Sequence, residues 1–192
     1  MNRFFPVFIL FACILPTVSC QKDGSSPQGP ITSSGASIAP GPSGRDPLMQ
    51  DGARFMAKVN EFKQRLDRNP KDAEALLFLA NANYDISRFA QARDYYKQYL
   101  QLEPDHPGAR TDLASAYYNT QDPDSAILEL KEVLKRKPDH PAALYNLGLI
   151  LAKDGRDPAG SIRSWEALLA AHPGDPRAGE IRQQIELLKK TL

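Results

Sequence analysis

The sequence predicts an all-α domain, a solenoid of stacked antiparallel helix pairs, preceded by a non-globular segment. Three observations carry that expectation. Prolines that precede a polar loop recur at Pro70, Pro104, Pro138 and Pro173, spaced 34, 34 and 35 residues apart. Small residues keep step with them at Ala80, Ala114 and Gly148, and again at Ala92, Ala126 and Ser161. The flanking stretches 53–68 and 177–191 each carry one apolar stripe at helical spacing. A fixed period of this length marks a stacked repeat. Antiparallel helices approach to about 8–10 Å only where a small side chain faces a small or flat one.

In chain order, the first element is MNRFFPVFILFACILPTVSC. Arg3 gives a short positive start, and the apolar stretch from Phe4 to Leu15 is a dozen residues long. A ~30 Å hydrocarbon core requires roughly 20, so residues 1–19 are expected to be a targeting signal. Its end, Thr17-Val18-Ser19-Cys20, resembles the lipobox of bacterial lipoproteins, with Thr17 standing where leucine is usual. The resemblance implies cleavage before Cys20 and acylation of that residue, hence a membrane anchor. Because Gln21 rather than aspartate follows, it further implies the outer membrane, facing the periplasm. The same residues also fit an ordinary secretory signal cut nearby, which leaves a soluble exported protein. Once Cys13 is removed with the signal, Cys20 has no internal disulfide partner. Two or three acyl chains on it give a durable anchor where one is marginal.

Residues 20–47 are rich in Gly, Ser and Pro and are expected to form a disordered tether, since they bury too little apolar surface to offset ordering entropy. Of the 24 Lys+Arg, Arg3 falls in the signal, which leaves the remaining chain balanced against 23 Asp+Glu. No basic excess points to nucleic acid as a partner.

The helical part begins with 48–72, an N-terminal helix in which Phe55, Val59, Phe62 and Leu66 share a face. Three repeats follow at 73–106, 107–140 and 141–175. Leu79, Leu113 and Leu147 precede the small residue of each first helix, and Tyr96, Leu130 and Trp165 are the large residues of each second helix. An extra residue enters the third unit around Lys153–Arg156, and Arg110 and Asn83 depart from the pattern. This pattern resembles the tetratricopeptide repeat (TPR). The resemblance implies three helix-turn-helix repeats with flanking N- and C-terminal capping helices. The C-terminal cap, 176–192, places Ile181, Ile185 and Leu188 on one face with polar residues opposite, as a solenoid end requires for solubility.

Pro-Asp-His-Pro occurs twice, at 104–107 and 138–141. His106 and His140 each precede a proline suited to the first helical position, and Asp122-Pro123, Asp157-Pro158 and Asp175-Pro176 repeat the arrangement with aspartate as the expected N-cap. The pairs therefore read as helix punctuation. Metal or small-ligand binding through His106 and His140 is the alternative, although zinc wants three or four converging ligands. No phosphate-binding loop, HExxH, CxxC or nucleophile elbow occurs, so neither catalysis nor a cofactor is expected.

In TPR proteins the first helix of each pair lines a concave groove. Carried over to this chain, the groove residues are Leu77, Asn81 and Tyr84, then Thr111, Ser115, Tyr118 and Asn119, then Tyr145, Asn146 and Leu149. Tyr96, Tyr99 and Tyr117 fall at core positions. The set lacks the Lys/Arg pattern of TPRs that clamp a peptide carboxylate and suits an extended or helical segment of another envelope protein. The closing stretch SIRSWEALLAAHPGDPRAGEIRQQIELLKK is similar to TPR modules of cytochrome c maturation, which implies a role in that or another envelope assembly pathway.

Overall fold

The computed structural model describes residues 47–192; the expected signal, Cys20 and residues 21–46 lie outside the described residues. Every regular element among the described residues is helical: α1 Pro47–Arg68, α2 Ala73–Asp85, α3 Phe89–Leu102, α4 Pro107–Asn119, α5 Pro123–Arg136, α6 Pro141–Ala152, α7 Pro158–Ala171 and α8 Ala178–Lys189. None is long and apolar enough to cross a membrane. The chain is an all-α helix-pair solenoid, with α2/α3, α4/α5 and α6/α7 as successive pairs between α1 and α8.

Helix starts follow from short polar caps. Asp72, Asp122 and Asp157 accept backbone N–H bonds from Ala75 (3.0 Å), Ser125 (3.1 Å) and Gly160 (2.8 Å). His106 and His140 do the same through Nδ1, from Ala109 at 2.9 Å and Ala143 at 3.2 Å. Asp175 is different. Its carboxylate is taken by Arg177, accepting from the backbone N–H at 2.8 Å, Nε at 2.9 Å and Nη2 at 2.7 Å, so α8 begins only at Ala178 with Arg177 in the cap position.

The first helices of the first two pairs, α2 and α4, end in one device. Ser87 N–H bonds to the Tyr84 carbonyl and Arg88 N–H to that of Asn83; Gln121 and Asp122 repeat this with Tyr118 and Tyr117. This Schellman closure requires left-handed backbone, and Ser87 and Gln121 hold φ of 59° and 63°. In the third pair Gly155 takes that conformation, with φ 66°. There the closing bond runs from Asp157 N–H to the Leu151 carbonyl across a 3-10 turn, Lys153–Gly155, which absorbs the extra residue.

Core packing alternates along the stack. Val59 and Phe62 of α1 pack on Ala75, Leu79 and Ala82 of α2, and Phe62 stacks on Phe78 at 4.1 Å. Arg65 forks across the same interface to Asp72 (2.9 and 3.1 Å) and Glu74 (2.7 Å). Tyr96 and Tyr99 are buried between α2, α3 and α4, and Tyr117 is half-buried. Arg110, standing where the other repeats have leucine, is tolerated because Glu129 pairs with it at 2.7 Å and the Pro104 carbonyl accepts from it at 2.9 Å. Asn83 satisfies its buried amide on the Leu79 carbonyl at 2.7 Å. At the close approach of α6 and α7, Gly148 lies against the Trp165 indole, whose Nε1 donates to the Tyr145 carbonyl at 3.1 Å. The Ser161 hydroxyl, fully buried, has no hydrogen-bond partner among the described residues.

Candidate functional site

The first helices of the pairs, α2, α4 and α6, bring most of the expected groove residues to one surface. Tyr84, Ser115, Tyr118, Asn119, Asn146 and Leu149 line a cavity of 220 Å3. Tyr118 and Leu149 continue into a second cavity of 360 Å3, shared with Tyr145, Ala152, Lys153, Trp165, Glu180, Ile181 and Gln184. Gln121, Pro123, Lys153 and Arg156 extend the space on the far side of Tyr118 and Ile150. Tyr118 is thus common to three adjoining spaces.

Hydrogen bonds tie this surface together across repeats. Asn119 Nδ2 donates to the Ser115 carbonyl at 2.8 Å and to the Tyr84 hydroxyl at 3.4 Å, and Asn146 Nδ2 donates to Ser115 Oγ at 3.3 Å. Asn81 Oδ1 accepts from the Tyr96 hydroxyl at 2.7 Å. Asparagine carries both donors and an acceptor, so these bonds fix the amides in place as parts of a wall. One expected residue is placed differently. Thr111 is 3% exposed, with its hydroxyl turned back to the Pro107 carbonyl at 2.9 Å, and so belongs to the interior rather than the groove. Leu77 is half-buried against the core between α2 and α3.

Sequence reasoning missed the groove's C-terminal wall. Residues 176–192 read as a cap, yet Glu180, Ile181 and Gln184 face the 360 Å3 cavity. Cations cover two of the tyrosines: Lys153 Nζ lies 5.0 Å from the Tyr118 ring centre and Arg177 Cζ 4.2 Å from that of Tyr145. The only sequence signal was the polar face of α8, which any solenoid end needs.

A carboxylate was missed at the other end. Asp112 on α4 is exposed, and desolvation by the protein beside it pushes its carboxyl up, against the opposing pull of His106. Asp112, Asp85 and the Tyr84 hydroxyl are all within electrostatic reach of the buried Tyr96 hydroxyl, whose pKa is raised chiefly by burial and next by Asp112. Neither aspartate forms an ion pair among the described residues.

The histidines have structural work. The Nδ1 atoms of His106 and His140 accept cap bonds, the His106 ring meets Tyr99 edge-on at 5.5 Å, and His172 Nε2 contacts the Asp139 carbonyl at 2.6 Å. Among the described residues, no three His, Cys, Asp or Glu converge as a metal-ligand group.

Stacked helix pairs with a continuous groove on their first helices define the class, a helical-repeat solenoid. Models described as tetratricopeptide repeat match residues 59–107, 87–147 and 142–175, together more than half of the chain, and the chain belongs to the tetratricopeptide-repeat family. The crystal structure of MamA matches with a TM-score of 0.66 and 24% identity, over 75% of this chain and 82% of that one. YrrB, described as a TPR protein with an unusual peptide-binding site, matches with a TM-score of 0.63 and 14% identity over 75% and 72%. The first TPR of Spaghetti (RPAP3), bound to the HSP90 peptide SRMEEVD, matches with a TM-score of 0.54 and 20% identity over 61% and 93%. At these identities the likeness is one of fold. Comparison with curated proteins gave no match.

Proposed function

We propose that this chain is a non-catalytic interaction scaffold whose concave groove binds an extended segment of another envelope protein, with Cys20 as a lipid anchor holding it at the outer membrane of a bacterial envelope. The observation that carries the groove reading is the run of adjoining cavities from Tyr84 to Gln184, walled by tyrosines, amides and Leu149. Tyrosine offers a broad apolar face with a polar tip, and fixed amides suit a partner's main chain. The peptide sites described for YrrB and the Spaghetti TPR are consistent with this use of the fold. The anchor reading is supported by Thr17-Val18-Ser19-Cys20 and the Gly/Ser/Pro-rich stretch after it.

Pull-down from detergent-solubilised envelope, with the double variant Tyr118→Ala/Tyr145→Ala as control, tests the groove. A specific partner lost in the double variant is expected; an unchanged partner would rule the groove out. For the anchor, labelled palmitate should enter the parent chain and not Cys20→Ser. The narrower reading, an apocytochrome as partner, rests on the resemblance of residues 161–190. Normal haem-protein content in a deletion strain would remove it.

A further inference from the structure

The residue that lengthens the third repeat also builds a polar branch of the groove. It is absorbed by the 3-10 turn Lys153–Gly155, and Lys153 and Arg156 join Tyr118, Gln121, Pro123 and Ile150 around a cavity of 260 Å3. Gln121 holds φ of 63° at this wall, backbone that glycine adopts freely and a long side chain does not. The charged residues of the lining are Lys153 and Arg156, both cations. Lysine and arginine only donate hydrogen bonds, whereas the Gln121 amide and the Tyr118 hydroxyl donate and accept. Glu180 lines the adjoining 360 Å3 cavity and not this one. Asp124 meets Arg156 Nη1 at 2.5 Å, which engages one N–H of a fork that carries several. The first turn of α5, at Pro123, and the last turn of α6, at Ile150, both reach the cavity. Their opposed dipoles leave the side chains to set its sign. The lining is donor-rich and positive.

We propose, on the basis of the groove reading above, that the partner segment carries an internal aspartate or glutamate whose side chain enters this cavity and accepts hydrogen bonds from Arg156 and Gln121. Charge complementarity selects a carboxylate, which offers acceptors alone and meets a guanidinium in two parallel N–H bonds. Lys153 adds positive charge from the same turn. Asp124 is 79% exposed, so it can share Arg156 with the occupant or move aside into water. Position selects a side chain over a chain end. The cavity shares Tyr118 and Lys153 with the 360 Å3 space, and Tyr118 and Ile150 with the 220 Å3 space. It therefore branches from the middle of the groove, where a segment lying along α4 and α6 passes it in mid-course.

Random dodecapeptides displayed on phage and selected on the full chain test this. Selected clones are resynthesised with amidated C-termini, and their affinity is measured by fluorescence anisotropy. Clones whose binding is lost in Tyr118→Ala are expected to share an aspartate or glutamate. Changing that residue to its amide should weaken binding about five- to tenfold. Arg156→Glu should weaken the parent peptide at least as much and should bind better the peptide whose acid is changed to lysine, a coupling read by a double-mutant cycle. Gln121→Gly relieves the left-handed backbone and removes the amide, so it should weaken binding about two- to fivefold in a chain that is no less stable. Clones that need Tyr118 but bind Arg156→Glu and Gln121→Gly as they bind the parent would overturn the inference and leave the groove reading standing. Clones that bind only as free acids would make the carboxylate terminal and would likewise overturn it. If no clone depends on Tyr118, both readings fall.

Discussion

Replacing Gly148 by alanine is expected to destabilise the domain by about 1–2 kcal/mol, although alanine is the better helix former. A Cβ built on Gly148 stands 2.5 Å from Trp165 Cδ1, with Nε1 closer still. The indole is 3% exposed and donates to the Tyr145 carbonyl at 3.1 Å, so it cannot yield without giving up that bond or moving into the groove cavity. Overpacking costs about 1–3 kcal/mol and a lost hydrogen bond about 0.5–1.5 kcal/mol. Improved helix propensity returns about 1 kcal/mol. Urea unfolding followed by circular dichroism measures the balance. Trp165 is the only tryptophan in the sequence, so its emission reports the displacement directly. In a Trp165→Leu background the same substitution should cost little, a coupling that a double-mutant cycle reads. The reasoning fails if Gly148→Ala matches the parent in stability with unshifted emission, or if the cost persists without the indole.

Three further substitutions probe the fold. Gln121→Gly should stabilise by about 0.5–1 kcal/mol, because relief of left-handed backbone outweighs the added freedom of the unfolded chain; a loss of stability in denaturant titration would contradict this. Ser161→Ala should raise stability by about 1 kcal/mol, as it removes a buried hydroxyl that has no partner, and calorimetry checks it. His140 is held below the ordinary histidine value by burial, then by Lys137, with His172 adding to this and Asp139 opposing it. A depressed folded pKa penalises the protonated form, and protonation also removes the Nδ1 acceptor of the cap. The cap's contribution, about 1 kcal/mol, is therefore complete above the ordinary value near 6.5 and is lost as pH falls through the depressed one. His140→Asn, which caps without titrating, should flatten the stability profile across that window.

The solenoid was legible because its cause is periodic. Loop prolines and small contact residues recur every helix pair, and each marks a helix start or a close approach. What the period does not encode is where a side chain turns within a unit. Thr111 stands at a groove position, but its hydroxyl satisfies a carbonyl of its own first turn and takes it inside. Asp175 stands before a proline like Asp122 and Asp157, but the guanidinium two residues on captures its carboxylate and holds it at about 2. The hydrogen bonds that join Asn119 to Tyr84 and Asn146 to Ser115 cross 35 and 31 residues, beyond any local pattern. The cavity under α8 escaped for a similar reason. The stripe of Ile181 and Ile185 says which face is buried, whereas Glu180 and Gln184 reach the groove from its margin.

The fork of Arg65 on Asp72 and Glu74, together with the Phe62–Phe78 stack, bears on how the molecule would carry mechanical load. In a stack where each unit touches only its neighbours, tension entering at the N-terminal end of α1 reaches this interface before any groove residue. The first event under pulling is then the peeling of α1, which shears two charged contacts and one ring pair while α2 to α8 keep their packing. Such an interface acts as a fuse: it yields at the N-terminal end of the solenoid and leaves the surface of α4 and α6 intact.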